Sequence, residues 1–229
     1  MHNISGTEYP PDDLIDRQIH ASVGFSLHHL RHSGNPVDSY LNSLLLHYES
    51  IDDAQSPRAF RTWEILSSYV PDQIRALGVS ITNFQTPLYP RLHEMPSPFC
   101  TLAKFIQFRF APETVTLRNH HRFEDDGCIF QLEDVLTQNR ALLNGSIVAD
   151  LAQAVGVRKE VALYLYVMGL PGVCVVIGTK NPTHMKEDFE GYEKWQNWVD
   201  DVANEEKNWD WYMARFKHFW AVTHPYGPR

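Results

Sequence analysis

Short apolar runs that stop abruptly at a polar residue are the feature that most limits what this chain can fold into. In the first, Leu41 is followed by Leu44, Leu45 and Leu46, and the run ends at His47. Asn35-Pro36 precedes it, and the residue before a proline is held away from helix. A near-continuous apolar run fits a strand covered on both faces, as in a parallel sheet. In parallel α/β folds the chemistry gathers at the carboxyl ends of strands, where loops are free to vary. His47 stands at such an end. There it either exchanges a proton near neutral pH or merely caps the strand by hydrogen bonding.

The rest of the chain alternates in the same way. From Asp12 the apolar residues Leu14, Ile15, Ile19, Val23, Leu27 and Leu30 recur at helical steps, and Gly34 is expected to stop that helix. Phe60, Trp63, Leu66 and Val70 form the apolar side of a second helix closed by Pro71. Ile74–Ser80 and Phe99–Gln107 read as further apolar segments, Leu88–Met95 as a short helix, and Gly127–Phe130 as a brief strand. Residues 131–145 read as loop with a weak helical turn. Ser146 is expected to cap a helix running to Val155, with Gly156 ending it. Arg158–Met168 reads as a helix, and the β-branched run Val173–Ile177 as a strand. Asn181-Pro182 opens another helix, and a last one near Asn208–Trp220 places Trp209, Tyr212, Met213, Phe216 and Trp220 on one face. Such alternation predicts βα units around a parallel sheet.

Composition narrows the classes of function. The net charge is −8 with both signs scattered, which argues against a nucleic-acid footprint. No run of eighteen apolar residues exists to form a membrane span. Cys100, Cys128 and Cys174 are odd in number and form no short ligand pair, so they read as buried thiols of a cytoplasmic protein. His120-His121 near Cys128 has no recognised zinc spacing, and no metal site is assigned.

Several stretches, in order, resemble the aldo-keto reductase family. SYLNSLLLHYE is similar to that family's fourth strand, IRALGVSITNF to its fifth and FIQFRF to its sixth. The stretch from Ser146 to Gly191 is similar to its seventh-helix and eighth-strand region. The similarity covers roughly residues 12–192 and implies an incomplete TIM (β/α)8 barrel with about five parallel strands matching the fourth to the eighth. The first three strands have no counterpart, as in an N-terminally truncated, divergent member. The expected organisation is a flexible N-terminus at 1–11, a partial barrel at 12–203, and an aromatic-rich C-terminal helix and tail at 204–229.

The resemblance implies NAD(P)H-linked carbonyl reduction, with NADP or else NAD as cofactor. His47 matches the histidine that orients the substrate carbonyl. Ser80 and Gln107 match the contacts to the nicotinamide carboxamide, although Ile81 stands where asparagine is expected; Asn83-Phe84 restores that pair if Ile81-Thr82 is read as an insertion. Gln131–Val135 replaces an aromatic-bearing stretch that stacks on the nicotinamide. Gly178 and Thr179 match the phosphate-binding turn, and Lys180 adds charge there. His184 takes the place of an arginine for the 2′-phosphate, and Glu187 and Asp188 match a Glu-Asn pair that contacts adenine. The proton-donor tyrosine, with its lysine and aspartate, lies on segments that have no match here. That implies impaired turnover, or a non-catalytic remnant that keeps the scaffold. The implied partners are a small carbonyl substrate and, through open barrel edges, a second copy or a complementing chain; nucleic acid and membrane are not expected.

Overall fold

Most apolar runs become strands and most helical periods become helices, although Ile74–Ala76 and Val176–Ile177 lie outside the strands and the second helix ends at Ser67, before Pro71. The computed structural model describes residues 12–30, 40–47, 57–80, 103–111, 127–170, 172–201 and 203–223. It divides into two compact units, Met1–Phe105 and Ile106–Arg229. Among the described residues five strands, β1 (Leu44–His47), β2 (Leu77–Ser80), β3 (Phe105–Arg109), β4 (Ile129–Glu133) and β5 (Val173–Val175), are hydrogen-bonded in that order in one sheet. The expected Leu88–Met95 helix and the stop at Gly34 lie outside the described residues.

The first unit contains α1 (Asp12–His29), β1 (Leu44–His47), α2 (Pro57–Ser67) and β2 (Leu77–Ser80). β1 and β2 pair in parallel, with Leu44 opposite Leu77 and His47 opposite Ser80. β2 is buried at every position. β1 is not: Leu44, Leu45 and Leu46 are half-buried, because this strand lies at the edge of the sheet order. Trp63, Ile65 and Leu66 of α2 are buried, as are Ile15 and Val23 of α1, whereas Leu14 and Leu30 are exposed. The helical period therefore picked the right stripe on α1 and read it too wide.

The second unit holds β3 (Phe105–Arg109) from Ile106 onward, then β4 (Ile129–Glu133), α3 (Arg140–Leu143), α4 (Ser146–Val155) and α5 (Lys159–Met168). β5 (Val173–Val175), α6 (Pro182–Val199) and α7 (Glu205–Thr223) complete it. Residues 131–133, expected as loop, are strand. Phe130 and Leu132 are buried while Gln131 and Glu133 are only half-buried, the alternation a strand requires. β4 and β5 are parallel, with Phe130 opposite Val173 and Leu132 opposite Val175. Ser146 does not cap α4. It is the first helical residue, and Gly145 holds the cap position with no side-chain bond. Gly156 ends that helix at φ 72°, a left-handed conformation that glycine adopts without Cβ strain.

α5 is the hub of the second unit. Val161 to Val167 are all buried, and α5 packs against α4, β5 and α6. Tyr166 stacks on Tyr212 and Phe219 of α7, with ring centroids 5.6 and 5.0 Å apart. Among the described residues of α7, Tyr212 and Phe219 are buried, while Trp209 is exposed. No helix among the described residues is long and apolar enough to cross a membrane.

At Gly78 in β2, an added Cβ would lie 2.6 Å from the Phe105 carbonyl oxygen and 3.0 Å from Leu45 Cγ. Backbone on one side cannot yield cheaply. Gly78→Ala is expected to destabilise the first unit by about 1–3 kcal/mol, the usual cost of overpacking, read as a lower urea midpoint.

Candidate functional site

The β1–β2 register brings the last residues of both strands side by side. His47 Nδ1 and Ser80 Oγ are hydrogen-bonded at 3.0 Å. His47 is exposed and Ser80 is buried, so a solvent-facing ring is held by a fixed hydroxyl. When the Ser80 hydroxyl donates to Nδ1, the proton of the neutral ring sits on Nε2. That nitrogen is then a donor suited to a carbonyl oxygen. Ser80 keeps lone pairs that can accept from an amide N–H. Ile81 and Asn83 lie outside the described residues.

Gln107, in the middle of β3, is half-buried on the face opposite Ile106 and Phe108. Its Nε2 donates to Glu133 Oε2 at 2.7 Å. The partner is the half-buried last residue of β4, which the sequence did not single out. One amide N–H is thereby occupied, leaving the other N–H and the carbonyl oxygen for a ligand. Asn139 also went unremarked. It is buried, and its Nδ2 donates to the Phe110 oxygen at 2.7 Å and the Val135 oxygen at 3.0 Å, tying the segments that leave β3 and β4.

Gly178, Thr179 and Lys180 form the turn between β5 and α6. Asn181 caps α6 by accepting from the Thr183 N–H at 2.9 Å, with Pro182 in the first helical turn. Thr179 Oγ1 accepts from the Asn181 N–H at 3.1 Å. Nothing lies within 4 Å of where a Cβ would stand on Gly178, and Lys180 is exposed. The Asn181 and Thr183 amides are thus taken up within the turn and Pro182 has none, so Gly178 and the exposed Lys180 are the groups left open for an anion.

Glu187 and Asp188 sit further along α6, where Arg158 meets both. Arg158 Nη2 donates to Asp188 Oδ1 at 3.3 Å. Arg158 Nε lies 2.9 Å from Glu187 Oε2 but out of line for a hydrogen bond, so that contact is electrostatic. Burial pushes the Asp188 carboxyl above the ordinary carboxylate range, against the pull of Arg158 and His184, while Glu187 and Glu160 add to the rise. Arg158 is the contributor that sequence reading missed. Its partners are 29 and 30 positions away, and only the fold brings them together.

No family model and no curated protein matches the sequence. The fold nevertheless has clear counterparts among solved structures: it is similar to part of the barrel of several aldo-keto reductases. The aldo/keto reductase from Brucella melitensis superposes at a TM-score of 0.58 and 17% identity, covering 77% of this chain and 62% of that one. The aldose reductase from Giardia lamblia gives 0.54 and 17%, with 78% and 63% covered. An aldo-keto reductase from a Medee basin deep-sea metagenome library gives 0.57 and 14%, with 79% and 60% covered. The chain thus spans about three fifths of the length of each of these proteins.

Two outcomes follow from this geometry. Ser80→Ala removes the partner of His47 Nδ1. The expected cost is about 1 kcal/mol, with a redistribution of the ring tautomers visible in the imidazole 15N shifts. The second outcome concerns pH. The folded Asp188 holds its proton to higher pH than the unfolded chain does, so its contribution to stability falls as pH rises from the unfolded pKa through the folded one. In Asp188→Asn this downward contribution disappears, and the difference between the two Tm–pH curves flattens above that window.

Proposed function

We propose that this chain is a divergent aldo-keto reductase-type protein that binds NADPH or NADH and belongs to carbonyl reduction chemistry. The observation that carries the reading is the His47–Ser80 pair, set at the ends of two neighbouring parallel strands by their register. The roles are those the resemblance implies. His47 orients a carbonyl oxygen through Nε2. Ser80 and Gln107 hold the carboxamide. Gly178, Thr179 and Lys180 receive the phosphates, and Glu187 and Asp188 face the adenine. The bound nicotinamide would supply the hydride.

Proton delivery to the carbonyl oxygen needs a donor of matched pKa. The family's tyrosine, lysine and aspartate match no stretch of this chain, and a missing general acid costs of order 10² to 10⁴ in rate. Binding without efficient turnover is therefore the expected behaviour of this polypeptide alone. Titrating the protein into NADPH should give a saturable change in dihydronicotinamide fluorescence. Turnover of an aldehyde, ketone and sugar panel should fall about 10²-fold or more below that of a complete reductase. A flat titration against folded protein rejects the cofactor assignment. Brisk turnover rejects the impairment.

A further inference from the structure

An arginine directly before a helix is a poor choice for the helix itself. The cap position favours a short side chain that accepts from the first amides. A cation at the positive end of the helix dipole is unfavourable as well. Arg158 nevertheless holds the cap position of α5, in extended conformation at φ −70° and ψ 157°, and makes no side-chain cap bond. What it does instead is collect carboxylates. Glu187 Oε2 and Asp188 Oδ1 lie 2.9 and 3.3 Å from its guanidinium, and Glu160 Oε2 lies 3.8 Å away.

The burial of these groups is uneven. The Asp188 side chain is 7% exposed, against 41% for Glu187 and 35% for Arg158. Asp188 is thus a nearly buried acid with one close cation beside it. A buried carboxylate left without its partner takes up a proton more readily. The other groups that bear on Asp188 are His184, Glu187 and Glu160, together with Tyr164, whose phenol is pushed up to about 12 by burial and by the Asp188 charge. Glu160 and Glu187 oppose ionisation, and His184 favours it only when protonated.

We propose that Arg158 is a positioning residue for the adenine end of the nucleotide, holding Glu187 and Asp188 in place as an ionised, acceptor-only pair. The proposal rests on the cofactor reading above, which gives these two residues to adenine. Arg158 stands at the start of α5 and two of its carboxylates, Glu187 and Asp188, are on α6, so the tie fixes the helix that follows the Gly178–Lys180 turn. An acceptor-only pair can take hydrogen bonds from an exocyclic amine and can give none. Protonation of Asp188 would convert half of it to a donor.

The test uses the full chain as wild type, Arg158→Met and Arg158→Lys. Each is titrated with NADPH, with 2′,5′-ADP as the adenine end, and with reduced nicotinamide mononucleotide as the other end, at several pH values. Melting temperatures are recorded alongside. In Arg158→Met, affinity for NADPH and 2′,5′-ADP should fall about tenfold or more, and that loss should vary with pH as Asp188 titrates. Affinity for the nicotinamide mononucleotide should hold. Arg158→Lys restores a charge without the fork, so it should recover part of the loss and lower the pH sensitivity. If Arg158→Met binds NADPH like the wild type, or loses both halves of the nucleotide equally, Arg158 has no positioning role. A Lys variant that rescues nothing has the same meaning. If the folded wild type binds none of the three ligands, the cofactor reading itself falls and the proposal falls with it.

Discussion

A helix buried on every side must be matched by partners on every side, and α5 imposes that condition on the second unit. Seven successive residues, Val161 to Val167, are buried. β5 and the helices α4 and α6 pack against it, and α7 adds an aromatic cover. The buried hydroxyls are satisfied within this packing. Tyr212 donates to the Leu165 oxygen at 3.2 Å, and Tyr166 to the Ile147 oxygen at 3.4 Å. Burial pushes both phenols above their ordinary range, which keeps them neutral donors rather than latent charges. The site elements inherit their places from this helix. Arg158 sits immediately before it, and the chain leaving it turns into β5, whose end becomes the Gly178–Lys180 turn.

Much of this architecture could be read from residue order, because burial writes itself into apolar spacing. The strand ending at His47, the strand ending at Ser80, the capped start at Asn181-Pro182 and the stop at Gly156 all appeared where they were expected. The errors have local causes. Gln131 and Glu133 look like loop because their strand has one buried face, and its polar alternation is short. Ser146 resembles a cap, yet the chain enters α4 one residue earlier at Gly145. On α7 the period gave the right side of the helix but missed Phe219, one of its two buried aromatics and seven residues beyond Tyr212.

The candidate site was legible only as a set of local pieces. A polar residue ending an apolar run marks itself, so His47 and Ser80 stood out. Their hydrogen bond did not, because it depends on a register between strands 33 positions apart. Gln107 stood out through resemblance, but its bond to Glu133 spans 26 positions. Arg158 read as an ordinary helix residue. Motifs report what a short stretch does alone, whereas second partners are chosen by the sheet and by helix packing.

Charge brings these pieces to one physical question. A chain of net charge −8 repels a polyanionic dinucleotide at long range, and the second unit adds carboxylates of its own at Glu133, Glu187 and Asp188. Any anion bound by this chain would therefore have to be favoured locally. Each of these acids has a donor beside it: Gln107 on Glu133, and Arg158 on the other two. Arg158 offsets part of the Glu187 and Asp188 charge, whereas the neutral Gln107 amide gives Glu133 a hydrogen bond and no counter-charge. Exposed charges further apart than a Debye length of about 8 Å are largely screened at physiological salt, so local pairing of this kind counts for more than the distant net charge.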